Sequence, residues 1–218
     1  REAQLMAFVI DDLKSKGGDN GSVSRKGKHA MDGGADLDEN GPYTAIATWT
    51  GKAFDLVDIT SWEASFDLAD IAQALSTISR FGGHTKFYSV AEHALRVSEY
   101  LRTTGEDDMT QLLGLHHDDT EAYMGDIPRP QKKLMKINDI DFEDYEHYMA
   151  TFHLFPWLGI DYNEQRWATV KNADYKVYLM ERDERPQPAT TNHAMVPGVA
   201  CELFLLRHLQ LVADLNAV

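Results

Sequence analysis

The spacing of apolar and polar positions divides the chain into a short extended region followed by a succession of helices. "YTAIATWTGKAFDL" (43–56) carries brief β-prone runs broken at Thr50-Gly51, which predicts a small hairpin. "DLADIAQALSTISRF" (67–81) returns to helical spacing, with Ile71, Leu75 and Ile78 on one side. "SVAEHALRVSEYL" (89–101) opens with Ser89 and Glu92 in the S-x-x-E arrangement of a capping box, so a helix begins there. "MTQLLGLHHDDTEAYMG" (109–125) reads as one continuous helix ended by Gly125, with Pro128 and Pro130 beyond it. "DFEDYEHYMATFHLF" (141–155) is a third helix, stopped by Pro156, and "EQRWATVKNADYKVYLMERDE" (164–184) a fourth. A loop, "RPQPATTNHAMVPG", leads to the last helix, "ACELFLLRHLQLVADL" (200–215).

Ahead of this body, "REAQLMAFVIDDLKSK" predicts an amphipathic helix, and the glycine-rich stretch over 17–42 a long surface loop. The expected organisation is therefore an N-terminal helix and loop over 1–42 and one main domain over 43–218. That domain is expected to be all-α, a helical bundle with a small β-hairpin near its N-terminal side.

Composition narrows the function classes. A formal net charge of −14 over 218 residues argues against nucleic acid and anionic lipid as partners. A small anionic substrate stays admissible if local cations override the global field. No apolar run is long enough to span a membrane, and the N-terminus lacks the basic region and cleavage site of a secretory signal. The one cysteine, Cys201, fits a reducing compartment and, in "VACELFLL", reads as a buried structural thiol. A cytoplasmic location is the expectation.

The chemistry concentrates in "GLHHDDTEAYMGDIP" (114–128). On a continuous helix His117 and Asp118 lean toward one point, and Glu121 falls on the same face. His116 and Asp119 point elsewhere and read as support, and Asp126 lies just past the helix end. A His-Asp pair among Leu112, Leu113 and Leu115 is costly unless something pairs it, and a divalent cation would. His93, on the first turn of the capped helix, and Asp174, among apolar positions of the fourth, can complete the set. His93 alone reads as a satisfied core histidine; with the other three it reads as a ligand. Two imidazoles and two carboxylates suit Mn, Fe, Co, Ni, Zn or Mg, and not an all-thiolate zinc site.

The order His93, His117-Asp118, Asp174 on successive helices resembles the H…HD…D signature of the HD-domain metal-dependent phosphohydrolases. "RF" at 80–81, "SVAEH" at 89–93, "HDDTEAYMGDIPRPQK" at 117–132 and "VKNAD" at 170–174 are similar to the bacterial 5′-deoxynucleotidases of that superfamily and to phage dATP triphosphohydrolases. The resemblance spans roughly residues 50 to 185. It implies an HD-domain bundle in which His93, His117, Asp118 and Asp174 bind one divalent metal. It implies Glu121 as the group that orients or deprotonates the attacking water, with Asp126 assisting it. Arg80 would hold the phosphate or complete the pocket near the sugar, and Lys132 would be a second phosphate ligand. Phe81 stands where relatives often carry a larger aromatic against the base, so the resemblance does not carry over the details of base recognition. The relatives tend to be oligomeric, so a homo-oligomer is expected, in a bacterial or phage-infected cell.

The function so implied is hydrolysis of a deoxynucleotide by a water activated at the metal, cut as monophosphate or triphosphate. Competing readings are alarmone or cyclic-nucleotide hydrolysis on the same scaffold, and a non-catalytic nucleotide-binding protein. His147 and His153, which could extend the site to a second metal, read as surface or core residues, and His84 as a turn residue. The acids at 139, 141, 143, 144 and 146 read as a solvated helix face.

Overall fold

A computed structural model of the chain describes residues 44–184 and 194–217, all within one compact unit, Gly33–Val218. The helix and glycine-rich loop expected over 1–42, and most of the loop after 184, lie outside the described residues. The described part is mostly helical, with a two-stranded antiparallel hairpin near its N-terminal side. Besides shorter helical turns, its helices are α1 (Leu68–Thr77), α2 (Val90–Thr103), α3 (Asp108–Leu115), the single turn α4 (Glu121–Met124), α5 (Phe142–Met149), α6 (Glu164–Glu184) and α7 (Pro197–Asn216).

Local chemistry explains most of the starts. Asp67 accepts from the Ala69 N–H at 2.9 Å to open α1, and Asp107 from the Thr110 N–H at 2.6 Å to open α3. Ser89 opens α2 by accepting from the Glu92 N–H at 3.1 Å. The reciprocal half of the expected capping box is not made. Glu92 instead pairs with Arg96 and accepts from the Met195 N–H at 2.8 Å, tying the chain ahead of α7 to the start of α2.

The core lies where α2, α3, α6 and α7 meet. Val97 and Leu101, Leu112 and Leu113, Val170 and Val177, and Leu211 are all essentially inaccessible there. Gly114 permits the close approach of α2 and α3, since a Cβ on it would sit 2.3 Å from Leu101 Cδ1. A satellite aromatic cluster carries the hairpin formed by β1 (Ala45–Ala47) and β2 (Ala53–Asp55). Phe54 stacks on Tyr123 of α4 at 4.0 Å and lies between Trp62 and Phe66.

Several expectations need correction. The helix expected over 109–125 is not continuous: α3 ends at Leu115, residues 116–120 form a bend and turns, and α4 begins at Glu121. At the break His117 Nδ1–H donates to the Gly114 carbonyl at 2.8 Å, the acceptor an unbroken helix would offer to the Asp118 N–H. Pro156 does not stop the third helix. A π-helical turn, Ala150–Leu154, carries the chain into Phe155–Trp157, where proline is tolerated in the first turn, and Gly159 at φ +71° ends it. A second small hairpin, β3 (Lys136–Ile137) with β4 (Ile140–Asp141), turns on Asn138-Asp139, both at positive φ. That Asn-Asp pair between two isoleucines was the available signal. Cys201 is partly exposed, not buried. Among the described residues no helix is long and apolar enough to cross a membrane.

Candidate metal centre

Four of the singled-out side chains meet although they come from three separate segments. His93 sits in the first turn of α2, His117 and Asp118 in the turn after α3, and Asp174 midway along α6. His93 Nε2 is 3.1 Å from Asp174 Oδ1 and 3.8 Å from Asp118 Oδ2. His117 Nε2 is 3.1 Å from Asp118 Oδ2 and 3.8 Å from Asp174 Oδ1. Donor atoms of His93, His117 and Asp118 all lie within 4.8 Å of one another, and Asp174 joins them through the two histidines. A divalent ion bound at about 2.1 Å holds neighbouring donors roughly 3.0–3.4 Å apart, so the spacing fits one ion after small adjustment.

Tautomers support that fit. The Gly114 carbonyl can only accept, so His117 carries a proton on Nδ1 and turns Nε2 toward the carboxylates. That Nε2 is buried and lacks a hydrogen bond, its 3.1 Å approach to Asp118 being misaligned for one. His93 is oriented the same way, with Nδ1–H donating to Glu181 Oε1 at 2.8 Å. Desolvation alone lowers the pKa of His117, but the charges of Asp118 and Asp174 outweigh it and push it up to about 10. The cluster thus attracts positive charge into the space between its donors. Desolvation raises Asp118 and Asp174, yet the histidines and Lys171 hold both well below the usual carboxylate range. Asp174 faces two ways, Oδ1 toward the histidines and Oδ2 pairing with Lys171.

Arg80 enters from the segment before α2. An antiparallel bridge joins Ser79 to Ser89, and the Arg80 N–H donates to the Tyr88 carbonyl at 2.8 Å. This sets the buried guanidinium 3.6 Å from both Asp118 Oδ2 and Glu181 Oε2. Phe81 follows at φ +62°, a left-handed conformation rarely adopted by a bulky residue, with its ring 5.5 Å from the guanidinium. His84 closes the same turn, as expected.

Glu121 is buried at the start of α4, and its Oε2 has no hydrogen-bond partner. Desolvation, then the charges of Asp118 and Asp126, raise its pKa well above the ordinary value, against the opposing pull of Lys132 and Arg80. Asp126 is half-buried and raised chiefly by desolvation, with Arg80 opposing.

Lys132 lies in a helical turn, Arg129–Lys132. Its ammonium contacts both Glu146 oxygens at 2.8 Å and stands 3.5 Å from Glu121 Oε1. Glu146 is correspondingly no solvated acid; Asp139, Asp141, Glu143 and Asp144 are exposed as expected. His147 packs against Tyr162 and Trp167, and His153 against Trp62 and Tyr148.

Glu181 is a member of the cluster that sequence reasoning missed. It accepts from His93 and from the Tyr88 hydroxyl at 2.6 Å while facing Arg80. Its signal was its position seven residues after Asp174, two turns on along one face of α6. With it, six carboxylates (Asp118, Glu121, Asp126, Glu146, Asp174, Glu181) face three cations (Arg80, Lys132, Lys171). The cleft is not locally positive on its own residues, and its surplus of acid favours a bound cation.

No protein-family model matches the chain. The uncharacterized protein YfdR of Escherichia coli (strain K12) is 41% identical over 91 residues, which cover 41% of this chain and 47% of YfdR. The chain thus matches about half the length of that curated relative.

Proposed function

We propose that the chain is an HD-domain metal-dependent phosphohydrolase acting on deoxynucleotides, as a 5′-nucleotidase on monophosphates or a triphosphohydrolase of the dATP type. The observation that carries this reading is the meeting of His93, His117, Asp118 and Asp174, with the unpaired Nε2 of His117 aimed among carboxylates. A divalent ion held by those four side chains supplies the Lewis acidity that phosphoryl transfer uses.

The remaining roles belong to the chain's own groups. Glu181 and the Gly114 carbonyl orient the two imidazoles. Glu121, buried and with its pKa raised well above the ordinary carboxyl value by desolvation, takes the proton of the attacking water. Asp126, also raised, handles the proton of the leaving oxygen. Arg80 holds its two carboxylates only at 3.6 Å, longer than good hydrogen bonds, so a phosphate oxygen competes well for the guanidinium. Lys132 is held by Glu146, so its part is to balance the charge of Glu121 rather than to bind phosphate. Phe81 packs the base side of the pocket in this proposal.

The test is phosphate release across dNMPs and dNTPs with Mn, Co and Mg, with and without added pyrophosphatase and polyphosphatase. Direct phosphate from monophosphates marks the nucleotidase. Phosphate from triphosphates that needs polyphosphatase marks the triphosphohydrolase. No release from any nucleotide sinks the hydrolase reading. A homo-oligomer belongs to the same proposal and is tested by light scattering on the purified chain.

A further inference from the structure

Beside the ligand pair lies a second buried polar group that the proposed chemistry does not use. His116 and Asp119 flank His117 and Asp118 in the turn after α3, and both are inaccessible to solvent. His116 Nδ1 lies 2.6 Å from Asp119 Oδ2, and its Nε2 lies 2.9 Å from Nδ1 of His208. With the Nδ1 proton donated to the carboxylate, Nε2 accepts, so His208 donates from Nδ1. Four residues before His208, Phe204 meets the His116 ring edge-on, 5.2 Å between centroids. One face of α7 therefore grips His116 at two points. Within the turn, beside the His117 bond to the Gly114 carbonyl, Asp119 N–H bonds to His116 O at 3.2 Å and Glu121 N–H to Asp118 O at 2.9 Å, single-turn bonds rather than a helix ladder.

We infer that His208 is a positioning residue for the metal centre, anchoring through His116 and Asp119 the turn that presents His117 and Asp118. The inference rests on the metal-binding reading above. His116 cannot rotate without losing either the Asp119 or the His208 bond, and a shift of its backbone is passed to the next two residues. Donor groups around an ion must be held within a few tenths of an ångström, and groups that orient ligands commonly change affinity by about 10- to 100-fold when removed.

The full chain is titrated with Co(II), following the visible absorption of the bound ion, alongside thermal unfolding of the apo protein. Asn keeps an amide N–H near the Nδ1 position, whereas Leu offers no donor. Expected is a loss of Co(II) affinity of about tenfold or more in His208→Leu, with an altered spectrum, and recovery to within a few-fold of wild type in His208→Asn. Equal Co(II) affinity in wild type and both variants overturns the inference. So does an equal loss in both, which makes side-chain volume the cause. Wild type that binds no Co(II) refutes the metal-binding reading instead, a result distinct from either. Should His208→Leu fail to fold, Asp119→Asn carries the test: unchanged affinity and spectrum there overturn the inference.

Discussion

Glu181 Oε1 lies 2.8 Å from Nδ1 of His93, although 88 residues separate the two in sequence. The carboxylate is buried and also takes the Tyr88 hydroxyl, so it fixes the tautomer and the tilt of the ring. Glu181→Leu is expected to weaken Mn or Co(II) binding by about 10- to 100-fold, read by calorimetric titration. Glu181→Gln, which retains an acceptor oxygen, is expected to lose less. Equal affinities across all three proteins would remove Glu181 from the centre.

Metal binding and proton transfer should separate by mutation. Asp118→Ala is expected to lose bound metal and turnover together. Glu121→Ala is expected to keep the metal and lose about 10²- to 10⁴-fold in kcat. Metal content by atomic emission, measured beside kcat, decides it, and near-normal turnover in Glu121→Ala contradicts its role as base.

The burial of Glu121 gives a pH signature with a definite sign. Its folded pKa is raised above the ordinary 4.5, so the native state favours the protonated form. As pH rises above 4.5 the unfolded chain ionises first, and stability contributed by the neutral carboxyl is lost up to the folded pKa. Glu121→Gln cannot ionise, so it should raise the Tm of the metal-free protein at neutral pH while abolishing turnover. In the wild type the acid limb of kcat/KM should lie above the usual carboxylate range. An acid limb at ordinary carboxylate pH, with no gain of Tm in Glu121→Gln, would falsify this assignment.

Arg80 and Lys132 should behave differently although both are cations of the cleft. Arg80→Ala is expected to lower kcat/KM by about 10²-fold with metal affinity nearly kept. Lys132→Ala leaves Glu146 and Glu121 unbalanced, so its main effect should be a further upward shift of the acid limb. A pure KM effect in Lys132→Ala would return it to phosphate binding.

Gly114→Ala tests the close contact of α2 and α3. Alanine normally favours a helix by about 1 kcal/mol over glycine. Here the new methyl meets the buried Leu101 side chain at 2.3 Å. Overpacking of this kind costs about 1–3 kcal/mol, so a net fall in Tm is expected by calorimetry.

Much of this was legible locally. The apolar spacing of 164–184, the Ser89 cap and the Thr50-Gly51 turn each depend on residues within a few positions, and each appears where the pattern put it. His117, Asp118 and Glu121 were grouped by helical phase, and they do face one cleft, but over a turn rather than a helix. At that break the His117 side chain bonds to the Gly114 carbonyl, a contact that no periodicity reports.

What the sequence by itself determined is where most of the longer helices lie and the donor types spaced along them. Helix formation is governed by neighbours three and four residues apart, which a linear pattern records. Which donors meet, which lysine is held by acids, and that His93 leans on Glu181 and His116 on His208 were decided only by tertiary packing. Those pairs are 88 and 92 residues apart, and their geometry follows from how whole helices cross around a shared core.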